Sequence, residues 1–243
     1  YKSGLPIELS QSSGLLWNES FYSWVVNKAW TTIDAVKEAI KSGKSIAITS
    51  GGHHSEFNHG RGFGPISNMV IAAKHLLSTE AVGRIAILDL DVHFANGTHS
   101  QVKNEKRILS CDIWRYRLSK WIYTSNSKNV YHKKVESSDD YSKVLELMFQ
   151  RIESFKPNML FVYNGLDPLC NDRMGGVNGF GEQELFQRNK SVAQFLDRTK
   201  LPACVFIGGG YIDYSNTNEE VKASKEHLTK LFVDSTATIF SLV

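Results

Sequence analysis

The sequence predicts an α/β fold: a single domain built on an open, mostly parallel sheet with helices on both faces. Three observations carry this expectation. Short runs that are apolar at consecutive positions recur along the chain, segments of helical period lie between them, and the two kinds alternate over most of its length. A strand that is apolar on both sides needs cover on both faces, which a parallel sheet between two helical layers supplies.

In chain order, Ile33, Val36 and Ile40 mark a first helix with Thr31 as its cap, and residues 45–49 form a first strand. Residues 84–90 and 107–111 are the next strands. Residues 112–134 fit neither pattern. This stretch holds Trp114, Tyr116, Trp121 and Tyr123, and reads either as a surface excursion stapled by its own aromatics or as one wall of a substrate channel. A helix then begins with Ser138 as cap and Val144, Met148, Ile152 and Phe155 on its apolar face, followed by a strand at 158–163. A strand at 203–207, a helix marked by Val221, Leu228 and Phe232, and a closing strand at 236–243 complete the alternation. In such a sheet, ligands bind beyond the carboxyl ends of the strands.

At 243 residues, 42% of them hydrophobic, the chain can bury one substantial core. Its 28 basic and 25 acidic residues leave a net charge of +3, too small to argue for a nucleic-acid or membrane partner. The basic patch at residues 103–107 reads as a solvated loop. No apolar run approaches the roughly 18 residues of a membrane span. Cys111, Cys170 and Cys204 are odd in number and lack metal-ligand spacing, and no signal-peptide pattern opens the chain. A soluble protein of the reduced cytoplasmic compartment is expected. Because the chain opens on Tyr1 rather than methionine, an upstream segment is expected to be missing.

The segment Leu88-Asp89-Leu90-Asp91-Val92-His93 ends a predicted strand with three polar side chains at every second position, aimed to one side by the period of two. Two carboxylates and an imidazole buried together need compensation, and a cation is the simplest source. A further ligand is available in Asp167, at the equivalent end of the strand leading into Asn164-Gly165-Leu166-Asp167. Two carboxylates and one imidazole leave a tetrahedral ion open to water, as a catalytic centre requires. Spacing alone leaves a chance assembly equally open.

Gly51-Gly52-His53-His54 follows another strand, so adjacent histidines also reach a carboxyl end, where a neutral imidazole can take a proton from metal-bound water. Asp89 and Asn96 are natural partners for these rings. Gly208-Gly209-Gly210-Tyr211 closes the strand at 203–207. It reads either as a tight turn beside a packed tyrosine or as a phenol aimed at a developing oxyanion.

Taken in order, these segments resemble the histone deacetylases and their relatives, the acetylpolyamine amidohydrolases and acetoin-utilisation proteins. The resemblance runs over residues 32–214. It rests on Gly51-Gly52-His53-His54, Gly62-Phe63 with Asn68 and Ile71-Ala72-Ala73, Ile87 to His93 with Asn96-Gly97-Thr98, Gly165-Leu166-Asp167, Gly175-Gly176 and Gly209-Gly210-Tyr211. It implies the arginase/deacetylase-like fold, and one deacetylase-like catalytic domain over residues 1–243 that lacks part of the usual N-terminal segment.

Residue by residue, the resemblance implies that Asp91, His93 and Asp167 hold a zinc ion, or in some members ferrous iron. It further implies that His54 is the general base and later acid, that His53 is a second histidine held by Asp89, and that Tyr211 polarises the acyl carbonyl. Phe63 and Gly209 would line a narrow channel for acyl-lysine. A monovalent cation, potassium being the candidate, would involve Asp89, Asp91, His93, Ser110 and Cys111. The implied reaction is hydrolysis of an acyl amide, in an acylated lysine peptide or an acetylated small amine such as a polyamine, by a metal-activated water.

The departures from the family pattern bear on activity. Phe94 stands where many relatives have a second histidine, Ala95 replaces a glycine, and Pro168-Leu169-Cys170 replaces a frequent Ala-His pair. Asn96 stands where some branches carry aspartate, and an amide cannot stabilise an imidazolium by charge, so a less basic His54 is expected. Two other readings compete with the hydrolase: a binding module that keeps the pocket without turnover, and a two-metal hydrolase of guanidino compounds. The chain lacks the aspartate pattern expected of the second.

Overall fold

The chain opens with a single helical turn, α1 (Ile7–Ser10), and then enters the long helix α2 (Glu19–Ser42). The computed structural model describes residues 2–117 and 127–241. Helix α2 starts where Asn18 Oδ1 accepts a hydrogen bond from the Phe21 amide at 2.7 Å, satisfying one of the unpaired amides of the first turn. Thr31, expected as the cap, lies inside the helix. The buried stripe of Val25, Lys28, Thr32, Ile33, Val36 and Ala39 begins upstream of it, and the single lysine in that stripe hides its period. Gly43, at φ 86°, ends α2 and turns the chain directly into β1 (Lys44–Ser50).

The remaining elements alternate as expected: α3 (Asn68–Ser78), β2 (Ile85–Asp89), α4 (Asn96–Val102), β3 (Ile108–Trp114), β4 (Val130–Lys134), α5 (Ser138–Phe155), β5 (Met159–Asn164), α6 (Glu182–Thr199), β6 (Ala203–Ile207) and α7 (Asn218–Ile239). Among the described residues the strands form one six-stranded sheet in the order β1-β6-β5-β2-β3-β4, every adjacent pair parallel.

Strand β2 shows why its sequence is apolar throughout. Ile85 and Ile87 pack into one core with Val36 of α2 and Met69 and Leu76 of α3, whereas Ala86 and Leu88 pack into the other with Leu145 of α5 and Val192 and Phe195 of α6. Successive side chains thus enter opposite helical layers. Each such residue, fully buried, contributes about 1.5–3 kcal/mol relative to its exposed state.

Three expectations need correction. In its described part, residues 236–241, the stretch at 236–243 is not a strand. Helix α7 continues to Ile239, with Ser235, Thr238 and Ile239 buried at helical spacing and Thr238 Oγ1 donating to the Asp234 carbonyl at 2.8 Å. Its β-branched residues favour a strand locally, and packing of the helical face overrides them. The cap of α5 is Ser137 rather than Ser138, its Oγ accepting from the Asp140 amide at 3.2 Å.

The unplaced stretch contains the end of β3 and the whole of β4. β4 pairs only with β3 and buries Val130 while exposing Lys133 and Lys134, so as an edge strand it lacks the continuous apolar run that betrays its neighbours. Trp121 and Tyr123 lie outside the described residues. No helix among the described residues is long and apolar enough to cross a membrane.

Because all strands run the same way, the loops after β1, β2, β5 and β6 leave from one edge of the sheet. Register brings Asp89 opposite Tyr163, and Asn164 opposite Ile207. Four chain segments far apart in sequence therefore converge beyond that edge.

Candidate active site

Asp91 and His93 stand in the turn beyond β2, which ends at Asp89, and Asp167 stands in the turn beyond β5. The alternation along 89–93 therefore runs past the strand into a turn. His93 Nδ1 lies 3.0 Å from Asp91 Oδ1 and 2.9 Å from Asp167 Oδ2. One ligand atom from each of the three residues lies within 4.8 Å of the other two.

The other ring nitrogen, His93 Nε2, donates to the Met174 carbonyl at 3.1 Å. A neutral ring with its hydrogen there turns the Nδ1 lone pair toward two carboxylate oxygens, which is favourable only with a cation between them. With a proton as that cation, burial works against the imidazolium, but the bonds to Asp167 and Asp91 outweigh it and push the ring up to about 11. Burial and the Asp91 charge push the Asp167 carboxyl well above the usual range. Asp91 goes the other way: burial opposes its charge, and the nearby His53 and His93 more than offset it. Two anionic oxygens and one imidazole nitrogen, preassembled and dry, fit a divalent ion of the zinc or iron type.

Backbone groups fix the carboxylates. Asp167 Oδ1 accepts from the Val92 amide at 3.0 Å, and Asp91 Oδ2 accepts from the Gly209 amide at 2.7 Å. A Cβ at Gly209 would stand 2.3 Å from Asp167 Oδ2 and 2.6 Å from Asp91 Oδ2, so a side chain there would displace one of them. The triple glycine thus does more than turn the chain: it lets the loop after β6 close over both carboxylates.

His53 and His54 enter from β1. His53 Nδ1 lies 2.9 Å from Asp89 Oδ2 and Nε2 lies 3.7 Å from Asp91 Oδ1, with the ring against Tyr163 at 4.7 Å between centroids. His54 Nδ1 donates to Asn96 Oδ1 at 2.8 Å, which makes Nε2 the acceptor nitrogen of the neutral ring. Burial lowers His53 to about 4, and burial together with neighbouring His53 holds His54 well below the usual histidine range. Both rings are therefore neutral at pH 7.

A cavity of about 1020 Å³ opens at these strand ends, its lining including His53, His54, Phe63, Gly209 and Tyr211. Gly209, which lines it, is the residue whose amide Asp91 accepts from. The Tyr211 ring lies edge-on to His93 at 6.1 Å, and burial, aided by the Asp91 charge, raises its phenol so that the hydroxyl stays a donor. Phe63 is half exposed, at φ 60°. Of the aromatics in the unplaced stretch, Trp114 packs on Phe94 at 5.2 Å, whereas the Tyr116 ring reaches 6.1 Å from His93.

For the monovalent-cation group, Ser110 and Cys111 follow on β3 beside β2. Ser110 Oγ is buried without a hydrogen-bond partner, and burial raises the Cys111 thiol, which stays neutral. Asp89 and Asp112 face each other across the two strands, both pushed well up, first by burial and then by neighbouring carboxylates. Among the described residues only histidines form ion pairs with Asp89, Asp91, Asp112 or Asp167. Four buried carboxylates thus lack a lysine or arginine.

The family model of the histone deacetylase domain matches residues 7–228. The chain belongs to that family. Histone deacetylase 2 of Arabidopsis thaliana is 25% identical over 190 residues, covering 76% of this chain and 48% of that protein. A probable deacetylase of Methanothermobacter thermautotrophicus is 26% identical over 191 residues, covering 73% of this chain and 56% of that protein. The chain therefore spans about half the length of these curated relatives. Among solved structures, an acetylpolyamine aminohydrolase from Burkholderia pseudomallei superposes with a TM-score of 0.68 at 16% identity, covering 87% of this chain and 62% of that one. At that identity the likeness shows a shared fold.

This histone deacetylase domain also places residues that the motifs did not reveal. Glu56 Oε1 accepts from the Asn96 amide at 3.3 Å and from Arg61 Nε at 3.0 Å, which orients the Asn96 oxygen toward His54. Phe94 packs edge-on to His99 and His132.

Arg188 of α6 is buried and donates to the Gly165 carbonyl at 2.7 Å and to Asn164 Oδ1 at 2.6 Å, tying down the turn that carries Asp167. The sequence signal was an arginine inside the apolar face of Leu185, Val192, Phe195 and Leu196. Arg188→Met leaves these two buried acceptors and Asn189 Oδ1 unpaired, each worth about 1–3 kcal/mol. Urea unfolding is expected to show a loss of about 3 kcal/mol at unchanged slope. A loss below about 1 kcal/mol would contradict this role.

Lys28 of α2 lines the cavity and is 6% exposed, and burial lowers its ammonium to about 8. Below that pH the buried charge costs stability in full. Between about 8 and the ordinary value of 10.5, the unfolded chain keeps a proton that the folded chain has released, so stability rises with pH. Lys28→Met is therefore expected to exceed the parent in stability by about 2–3 kcal/mol at pH 7, the gap closing by about pH 10.5. Denaturant titrations of both proteins at pH 7 and pH 10.5 test this, and a gap that is constant with pH rejects it.

Proposed function

We propose that this domain is a metal-dependent hydrolase of acylated amines, acting on an acetyl-lysine peptide or an acetylated small amine. The observation that carries this reading is His93 Nδ1 within 3.0 Å of both the Asp91 and the Asp167 carboxylates, beside two neutral histidines at the same sheet edge. Family membership supports it. Zinc suits the donor set, with ferrous iron as the alternative, and the buried, unpartnered Ser110 Oγ on β3 beside β2 supports a potassium ion alongside.

When bound, the divalent ion supplies Lewis acidity toward the acyl carbonyl and water. The chain supplies the rest. His54 Nε2 takes the proton of the attacking water while Nδ1–H stays anchored on Asn96. His53, held by Asp89, keeps its ring beside His54 at 4.0 Å between centroids. The Tyr211 hydroxyl donates to the carbonyl oxygen as negative charge grows there. A carbon–oxygen bond forms, the carbon–nitrogen bond breaks, and His54 returns its proton to the leaving amine.

We propose further that residues 1–243 belong to one deacetylase-like catalytic domain. The unpaired Cys111, Cys170 and Cys204 suit a reducing, intracellular location.

The test is release of free carboxylate from acetyl-lysine peptides, acetylpolyamines and longer acyl amides by zinc- or iron-loaded protein. Turnover of at least one class is expected. A silent panel contradicts the reading. Tight hydroxamate binding without turnover would favour the binding module, and two ions per chain the guanidino hydrolase.

A further inference from the structure

Helix α2 and strand β1 form a tight antiparallel pair joined at Gly43. Ser45 Oγ donates to the Ala35 carbonyl at 2.6 Å, and Thr32 and Thr49 hydroxyls meet at 3.1 Å. Moving toward the start of α2 therefore means moving toward the carboxyl end of β1. Lys28 lies about one turn beyond Thr32, about 6 Å along the axis, and its carbonyl accepts from Thr32 Oγ1 at 2.8 Å. That places it at the level where β1 runs out toward Gly51, Gly52 and His53.

Lys28 lines the same cavity as His53, His54 and Tyr211. Its Nζ lies 4.9 Å from the Trp24 ring centroid, and among the described residues it has neither an ion pair nor a side-chain hydrogen bond. A lysine kept only for its stem would carry its head out to water. A lysine that is more than nine-tenths buried as a residue, with an aromatic face against its ammonium, is a charge held without its counter-ion.

We propose that Lys28 recognises a carboxylate in this cavity, so that the ligands it favours carry one. The inference rests on the cavity being the substrate cavity, as proposed above. An ammonium and a carboxylate, both desolvated, form a charge-assisted bond that a neutral ligand cannot match. A polycation meets a like charge instead. The carboxylate can belong to the acyl group, as in a dicarboxylic acyl amide, to the amine, as in an N-acyl amino acid, or to the released acid.

Zinc-loaded protein should be compared on matched pairs: succinyl-lysine against acetyl-lysine peptide, and N-acetyl amino acids against their amides. Binding of free succinate and acetate should be followed by calorimetry. The carboxylate-bearing member of one pair is expected to be preferred at least tenfold in kcat/KM, the preference collapsing in Lys28→Met and surviving in Lys28→Arg. Succinate affinity should fall at least tenfold in Lys28→Met, with Lys28→Gln standing in if that variant does not fold. A shift confined to free acetate assigns the product as the source and still supports carboxylate recognition. Equal substrate ratios and equal affinities in parent and variant overturn it. If no substrate turns over, the hydrolase reading fails, and the succinate titration still decides the role of Lys28.

Discussion

Asp167→Ala is expected to abolish stoichiometric zinc binding and to lower kcat/KM for the best acyl-amide substrate by at least on the order of 10³-fold. The reason is the balance at His93 Nδ1, which faces one oxygen of Asp91 and one of Asp167 at 3.0 and 2.9 Å. Removing Asp167 leaves one carboxylate and one imidazole, too few donors for the ion, and frees the Val92 amide that Oδ1 now accepts. A ligand that binds only the folded state raises the melting temperature. Zinc should therefore raise it in the parent and leave the variant unmoved. Retained zinc binding in the variant would place the ion elsewhere.

His54→Ala is expected to lower kcat by about 10²–10⁴-fold while leaving one zinc per chain. The ring is buried, neutral and anchored through Asn96, and it is not among the three residues placed to hold a metal ion. Loss of both activity and zinc would instead make His54 a ligand. Loss of neither would move the base to His53, whose Nε2 stands 3.7 Å from Asp91 Oδ1.

The parts of the fold that were legible in the sequence are those with a periodic signature. β2, β3, β5 and β6 are buried on both faces, and their unbroken apolar runs announce it. β4 is an edge strand with exposed lysines, and the end of α7 is a helix rich in threonine, so local pattern misleads at both. The side chains brought together at the strand ends were nameable because four segments end in chemically capable residues at the same edge. What the motifs could not convey is which polar residue inside a helix turns toward the site. Arg188 and Lys28 in helices, and Glu56 in the loop after β1, act through particular side-chain contacts, and a contact has no period.

The most direct measurement is anomalous diffraction at the zinc edge from crystals of the zinc-loaded protein. A single strong peak is predicted about 2 Å from His93 Nδ1 and from one oxygen each of Asp91 and Asp167. A peak held by His53 and His54 instead, or no peak between those three side chains, would contradict the account.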